Sequence, residues 1–273
     1  MILKDKNILL AVTGSIAIYK SLELIRLFIK AGANVKVILS DGAKKFINPI
    51  TFEAISQNRV LDESSESWDK SQNYNHIDIT KWADILLIAP ATANTINKIS
   101  CGIADNLLLQ TVLACKKKII IAPAANTNMI ENPITIQSVN NLKNLGFEVL
   151  QTQTKELACK DVGNGAMLEP IDIFHKTCKE LLKTSYWENR RAVLSGGGTL
   201  EKIDDVRYIS NFSSGKMASN LATALYYLGA DVTLVSSRGF ENIPYEIDLK
   251  VSYSSQEMLE NLKFALEDRK SVV

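Results

Sequence analysis

Apolar residues in the first half of the chain form short, uninterrupted runs separated by longer amphipathic stretches. Four runs have the length of buried β-strands, at residues 7–12, 35–39, 84–89 and 118–122. Apolar residues recur at helical spacing over 17–30, and Gly32 supplies the positive-φ position that ends a helix there. Strands that are apolar on both faces and alternate with helices predict a parallel sheet covered on both sides.

A second and shorter cycle of the same pattern follows a polar stretch at residues 186–191. It predicts a strand, a glycine turn, a helix and another strand, at residues 192–195, 196–198, 216–228 and 231–235. We therefore predict two domains, 1–185 and 186–273. The predicted fold class is α/β: a doubly wound parallel sheet, flavodoxin-like or Rossmann-like, followed by a partial second Rossmann-like unit.

Charge and composition exclude several classes of protein. The 31 basic and 30 acidic residues leave a net charge of +1, which gives no general attraction to nucleic acid or to an anionic membrane. No apolar run approaches the roughly 20 residues that cross a bilayer, and the N-terminus has no signal-peptide pattern. These features predict a cytoplasmic protein. The four cysteines form no C-x-x-C pair, so we predict no metal site.

Polar turns after the predicted strands are the candidate ligand contacts, because open α/β sheets bind ligands at the carboxyl ends of their strands. Gly14 permits a tight turn, and Ser15 with the free N–H groups of a helix start can hold a phosphate, although an ordinary turn fits equally well. The turn lacks G-x-G-x-x-G, which disfavours NAD, whereas a monophosphate such as that of FMN needs only one such turn. The other predicted cofactor contacts are Ile16, Ser40, Ala91, Thr92, Asn94, Thr95, Asp105 and Asn106. Asn94, Thr95 and Asp105 are alternatively helix caps.

Three further residues could carry catalysis. His76 titrates in the range that suits a general base at neutral pH, but a structural histidine is an alternative. Asn126 follows the 118–122 strand, where its amide could bind a carboxylate or simply form a turn. Cys159 lies in a glycine-punctuated segment, 157–167, that we interpret as a loop closing over the site, with Lys160 beside the thiol. His175 is predicted to lie on a solvated helix face.

Taken together and in this order, these segments resemble the flavoprotein family of cysteine-conjugate decarboxylases, over about residues 6–170. The resemblance rests on the Gly14 turn, His76, the segment 89–95, Asn126 with Met129, and the Cys159 segment. Residues 195–199 and 204–217 resemble the start of a phosphopantothenate–cysteine ligase domain. Because the two activities are fused in many bacteria as consecutive steps of coenzyme A synthesis, the second resemblance favours a phosphopantothenoylcysteine (PPC) decarboxylase within the family.

The resemblance implies FMN-dependent decarboxylation of PPC to 4′-phosphopantetheine. In this interpretation His76 is the base, Asn126 binds the substrate carboxylate, and Cys159 donates a proton to the enethiol. Met129 and Lys160 would contact the substrate in the first domain. Asn211 and Lys216 match the substrate side of the ligase motif. A homotrimer or a larger assembly of trimers is also implied.

The sequence departs from the family pattern at four positions. Ala125 stands in place of a methionine, Ile130 of an aromatic residue, Lys160 of a glycine and Ala166 of an arginine. The ligase domain would need a further half that binds CTP and Mg²⁺. Because the chain stops at Val273 without it, we expect no ligase activity.

Four alternative functions share parts of this pattern. A decarboxylase of peptidyl cysteine, another cysteine-conjugate decarboxylase, or a flavin prenyltransferase would share the scaffold, but the ligase-like segment disfavours them. An FMN-binding regulatory subunit of a protein phosphatase is disfavoured because long acidic extensions are absent and His76, Asn126 and Cys159 are all present.

Overall fold

The computed structural model describes residues 1–67, 75–156, 162–240 and 242–267. The chain divides into two compact units, Met1–Phe174 and His175–Val273. Within the described ranges, no helix combines the length and the apolar character that crossing a bilayer requires.

The first unit is built on a five-stranded parallel sheet. Its strands are β1 (Asn7–Val12), β2 (Asn34–Leu39), β3 (Ile85–Ala91), β4 (Lys118–Pro123) and β5 (Glu148–Val149). They lie in the order β2-β1-β3-β4-β5, and every neighbouring pair is parallel. The predicted doubly wound sheet is therefore confirmed. The strand order reverses between β1 and β3, which is where ligands bind in sheets of this order.

Nine helices are described around this sheet and after it. They are α1 (Tyr19–Ala31), α2 (Asp41–Lys44), α3 (Pro49–Ser56), α4 (His76–Trp82), α5 (Ala93–Ser100), α6 (Leu107–Ala114), α7 (Thr127–Ile130), α8 (Pro133–Asn144) and α9 (Pro170–Leu182). The predicted helix over 17–30 begins later, because Ile16–Ile18 forms a turn of 3-10 helix first. Gly32 ends α1 with a φ of 98°, as predicted.

The core follows from strands that are covered on both faces. All seven residues of β3 are buried, and α1 buries Leu24, Ile25 and Phe28 on the side of the helix that faces the sheet. Fully burying side chains of this size stabilises the fold by about 1.5–3 kcal/mol each. The central strands are thereby fixed, and the turns at their carboxyl ends are held at defined positions.

An antiparallel hairpin follows the sheet. Its strands are β6 (Gln153–Glu156) and β7 (Val162–Ala166), paired from Gln153↔Ala166 to Glu156↔Val162. The prediction of one loop over 157–167 was therefore wrong for residues 162–166, which form a strand. Cys159 and Lys160 lie outside the described residues.

The second unit contains a smaller parallel sheet. Its strands are β8 (Arg191–Gly196), β11 (Asp231–Ser236) and β12 (Asp248–Val251), in the order β12-β11-β8, with β9 (Glu201–Lys202) and β10 (Tyr208–Ile209) forming a separate short hairpin. Two helices complete it, α10 (Lys216–Tyr227) and α11 (Ser255–Glu267). The predicted strand, glycine turn, helix and strand are all present.

The environment of His175 corrects a prediction. Its side chain is buried, not solvated, with Nδ1 2.6 Å from the Tyr227 hydroxyl and Nε2 3.2 Å from the Asn242 carbonyl oxygen. Burial lowers the pKa of His175 to about 4, although the hydrogen bond to the Asn242 carbonyl acts in the opposite direction. Residues distant in sequence cover this face of α9, so helical periodicity could not reveal it.

We predict that His175 makes stability fall in mild acid. The folded-state pKa lies below the usual 6.5, so the stabilisation is complete above pH 6.5 and is lost as the pH falls towards 4. Relative to His175→Gln, the free energy of unfolding of the wild type should fall by about 3 kcal/mol across this window. Urea unfolding of both proteins at several pH values measures this difference. A difference that does not change with pH would contradict the prediction.

Candidate functional site

The turns after β1 and β3 are joined by one buried hydroxyl group. Thr13 Oγ1 donates to the Pro90 carbonyl oxygen at 2.7 Å and accepts the Thr92 backbone N–H at 3.0 Å. The Thr13 N–H donates to the same Pro90 oxygen at 3.2 Å. These bonds hold the two strand ends together at the point where the strand order reverses. Thr13 was not among the predicted site residues; the available signal was a polar residue directly after a buried strand.

The turn after β2 packs against the turn after β1, backbone to backbone. A Cβ atom at Gly14 would lie only 2.8 Å from the carbonyl carbon of Gly42. The Ser40 N–H donates to the Val12 carbonyl at 3.1 Å, and the Ser40 side chain caps α2 by accepting the Ala43 N–H at 3.2 Å. The predicted need for glycine at position 14 therefore has a specific cause, which is this close approach.

Hydroxyl groups and helix starts surround these turns. Ser15 caps the 3-10 helix by accepting the Ala17 N–H at 3.3 Å, and the Ile16 side chain is exposed. Thr92 caps α5, because its Oγ1 accepts the Thr95 N–H at 3.3 Å. The cap is therefore neither Asn94, which is exposed, nor Thr95, which is buried.

These residues fit the phosphate of a flavin nucleotide. The Gly14–Gly42 contact leaves no room for side chains, so backbone groups line the turn, and helix N-termini carry partial positive charge that favours an anion. Ser15 and Thr92 add hydroxyl groups at the same edge. Ala91 is buried as the last residue of β3 and contributes backbone there.

Asp105 and Asn106 have different roles from each other. Asp105 is exposed and accepts a hydrogen bond from Lys98 Nζ at 2.5 Å. Asn106 caps α6, since its side chain accepts the Leu109 N–H at 2.9 Å. The interpretation of Asp105 as the helix cap was wrong by one residue.

His76 is the first residue of α4. Because α4 leads into the parallel strand β3, its N-terminus lies towards the carboxyl edge of the sheet. Nδ1 of His76 is 2.8 Å from Glu66 Oε1, and both side chains are about one-fifth exposed. A neutral imidazole that donates from Nδ1 to a carboxylate has its lone pair on Nε2, which is the form that a general base requires.

Asn126 follows β4 at the same edge of the sheet. Its Oδ1 caps α7 by accepting the Asn128 N–H at 2.9 Å, and the Met129 side chain is about half exposed. The preceding Ala125 N–H donates to the Gly165 carbonyl of β7 at 3.1 Å. The β6–β7 hairpin is thereby packed directly against the turn that contains Asn126.

Thr127 is a second residue that sequence reasoning missed. Its Oγ1 is buried without a hydrogen-bond partner in the described part of the chain. This oxygen atom would clash with a Cβ atom at position 163, so only glycine fits there. A buried hydroxyl without a partner, next to Asn126, adds a polar group to the surroundings of that amide.

The structure brings most predicted residues of the first unit to one sheet edge. The turns containing Gly14, Ser40, Thr92 and Asn126 each follow a parallel strand of this sheet. Asn211 and Lys216 belong to the second unit. There, Asn211 Oδ1 accepts the Ser213 N–H at 2.9 Å, and exposed Lys216 begins α10.

Two family models match the chain. Residues 2–182 match the family described as Flavoprotein. Residues 187–273 match the family described as DNA/pantothenate metabolism flavoprotein C-terminal domain.

Relatives with the same two-part sequence are named coenzyme A biosynthesis bifunctional protein CoaBC. The protein of Vibrio parahaemolyticus is 40% identical over 262 residues, which are 94% of this chain and 64% of the relative. The Bacillus subtilis protein is 39% identical over 236 residues, 86% of this chain and 58% of the relative. The chain therefore spans about three-fifths of the length of these curated relatives.

Solved structures resemble the first part of the chain. A PPC decarboxylase with a cysteine-to-serine substitution, complexed with pantothenoylaminoethenethiol, is 32% identical with a TM-score of 0.57, and covers 64% of this chain and 97% of its own. The FMN binding protein AtHal3 is 35% identical with a TM-score of 0.57, and covers 64% of this chain and 95% of its own.

We predict that Thr13→Val lowers the free energy of unfolding by about 1–3 kcal/mol, because the buried Pro90 carbonyl and Thr92 N–H each lose a partner. Valine preserves the shape of the side chain, so the loss isolates the hydroxyl group. Thr13→Ser, which keeps the hydroxyl, should retain most of the stability. Urea unfolding measures both variants, and equal stability of Thr13→Val and wild type would show that the bridge contributes nothing.

Proposed function

The chain belongs to the flavoprotein family, and from that premise we propose that its first part binds FMN and decarboxylates PPC to 4′-phosphopantetheine. The observation that carries this proposal is the meeting of the Gly14, Gly42 and Thr92 turns at the β1/β3 edge, which suits one phosphate. The names of the CoaBC relatives and of the PPC decarboxylase structure support the substrate and the reaction. We place this activity in residues 1–185.

FMN binding would use the residues that surround the β1/β3 edge. Backbone N–H groups after Gly14 and the hydroxyls of Ser15 and Thr92 would hold the phosphate. When bound, a flavin accepts and returns an electron pair, which this decarboxylation requires because a cysteine side chain offers no electron sink. Ser40, Asn94 and Asn106 stay proposed contacts at the same edge.

Each catalytic residue would act at a defined part of the substrate. The Asn126 amide would hold the substrate carboxylate, with Met129 beside it. His76, oriented by Glu66, would accept a proton from the substrate through Nε2. Cys159 would donate a proton to the enethiol product of CO2 loss. The enethiol bound to the cysteine-to-serine variant of the PPC decarboxylase supports a role of this kind for a cysteine.

The second unit would make ligase-side contacts. We propose that Asn211 and Lys216 contact a substrate, because they match the substrate side of the ligase motif and lie within the residues 187–273 that match the C-terminal flavoprotein domain family. CTP and Mg²⁺ would be needed only for a complete ligase reaction.

We predict that the purified protein has the absorbance spectrum of a bound flavin and releases CO2 from added PPC, as followed by mass spectrometry. A flavin spectrum without turnover would instead favour the FMN-binding regulatory alternative. A colourless protein that FMN cannot reconstitute would overturn the proposal.

The same assay tests the role of His76. The variant His76→Asn should keep the flavin and lose activity about 10²–10⁴-fold. Glu66→Gln, which removes only the orienting charge, should lose less. Wild-type rates in His76→Asn would leave His76 a structural role.

We also propose that the first unit assembles as a trimer. Four large apolar side chains stand exposed beside the turns after β1 and β2: Ile16 at 58%, Tyr19 at 60%, Phe46 at 49% and Ile50 at 67%. We propose that they form one patch, because contiguous exposed apolar groups of this size are typical of protein interfaces.

Light scattering should give a mass of about 91 kDa, three times the chain mass of 30.2 kDa, or a multiple of it. Ile50→Glu should lower that mass, because an interface would bury the new charge, whereas Ile134→Glu on α8 is a matched control at equal exposure of 67%. A wild-type mass of 30.2 kDa would contradict the proposal.

A further inference from the structure

Lys20 is a buried cation in the first turn of α1, only 8% exposed. Burying an ammonium group is costly unless it is paired and hydrogen-bonded. Lys20 Nζ donates to the Met167 carbonyl oxygen at 2.9 Å and to Glu169 Oε1 at 3.0 Å. Both partners lie about 150 positions away in sequence, directly after the β6–β7 hairpin.

Lys20 is linked to both strands of this hairpin, to β7 at its end and to β6 through Glu169. Met167 follows β7 immediately, so the bond to its carbonyl fixes the end of that strand. Glu169 also accepts a hydrogen bond from Lys155 of β6. Burial opposes ionisation of Glu169, yet the hydrogen bonds from Lys155 and Lys20 together lower the pKa of its carboxyl group. Glu169 is therefore held as a carboxylate between the two lysines.

The first turn of α1 is also connected to the Ser15 turn, which is the proposed phosphate site, and to the sheet. Lys20 follows the 3-10 helix Ile16–Ile18, whose cap is Ser15. The next residue, Ser21, donates from its hydroxyl to the Ala89 carbonyl of β3 at 2.8 Å. Less than two turns of helix therefore separate the Ser15 turn from Lys20.

The hairpin in turn supports the proposed substrate-binding turn. The Gly165 carbonyl of β7 accepts the Ala125 N–H at 3.1 Å, one residue before Asn126. The sequence of contacts thus runs from the Ser15 turn through Lys20 to β7 and then to Asn126.

We propose that Lys20 is a positioning residue that couples binding of the flavin phosphate to the ordering of the β6–β7 hairpin. The inference rests on the proposed function, because it takes the Ser15 turn as the phosphate site. Coupling of this kind is reciprocal, so an ordered hairpin also strengthens flavin binding. In this role Lys20 would act through Met167 and Glu169.

Amide hydrogen exchange of the hairpin, with and without saturating FMN, tests the coupling in the full chain. In the wild type, FMN should slow exchange of the amides paired between β6 and β7 by about tenfold. In Lys20→Met this response should fall below about twofold, while Lys20→Arg, which can still donate to both partners, should restore it. Lys155→Met is the matched control, because it removes the other lysine at Glu169 and leaves the bond to Met167.

The outcomes separate the two proposals. A full FMN response in Lys20→Met, or its equal loss in Lys155→Met and Lys20→Met, would overturn the role of Lys20 and leave FMN binding intact. Failure of the wild type to bind FMN would overturn both. Lys20→Gln, whose amide is too short to reach Met167, should show the same loss and serves if the methionine variant does not fold.

Discussion

Buried backbone groups at the carboxyl end of a parallel sheet need hydrogen-bond partners. In this protein one side chain supplies them between β1 and β3, where the strand order reverses. Thr13 pairs with the Pro90 carbonyl and the Thr92 N–H through a single hydroxyl. The chain continues from β1 to β2 on one side of this point and from β3 to β4 on the other, so the two strand ends are joined here by a side chain. The positions of Gly14, Ser15 and Thr92 all depend on this bridge, since each lies within two residues of one of its ends.

The sheet was predictable because its signal is local. Runs such as 7–12 and 118–122 are apolar on both faces, which is typical of strands covered on both sides. Contacts between distant residues left no comparable signal. The partners of Thr13 lie 77 and 79 positions away. The helical spacing around His175 was visible, but the covering by Tyr227 and Asn242 was not.

The β6–β7 hairpin shows how glycine content led to a wrong structural prediction. Glycine weakens strands, so Gly163 and Gly165 indicated a loop. In the structure, they are glycine because Thr127 and the Ala125 carbonyl occupy the space that side chains would need. The same absence of side chains that misled the prediction allows the Asn126 turn and the hairpin to pack as one body. The composition thus reflects close packing of two backbones, which a single-sequence pattern cannot distinguish from flexibility.

This packing also limits what the departures from the family pattern change. Ala125 replaces a methionine, but its contribution to the site is a backbone N–H bonded to Gly165, which any residue except proline supplies. Ala166 replaces an arginine, yet its backbone keeps the register with Gln153. Both substitutions therefore preserve the scaffold that positions Asn126. Lys20 contributes to this scaffold in a different way, because its bonds to Met167 and Glu169 come from the side chain and not from the backbone. A substitution that shortens this side chain therefore cannot preserve them.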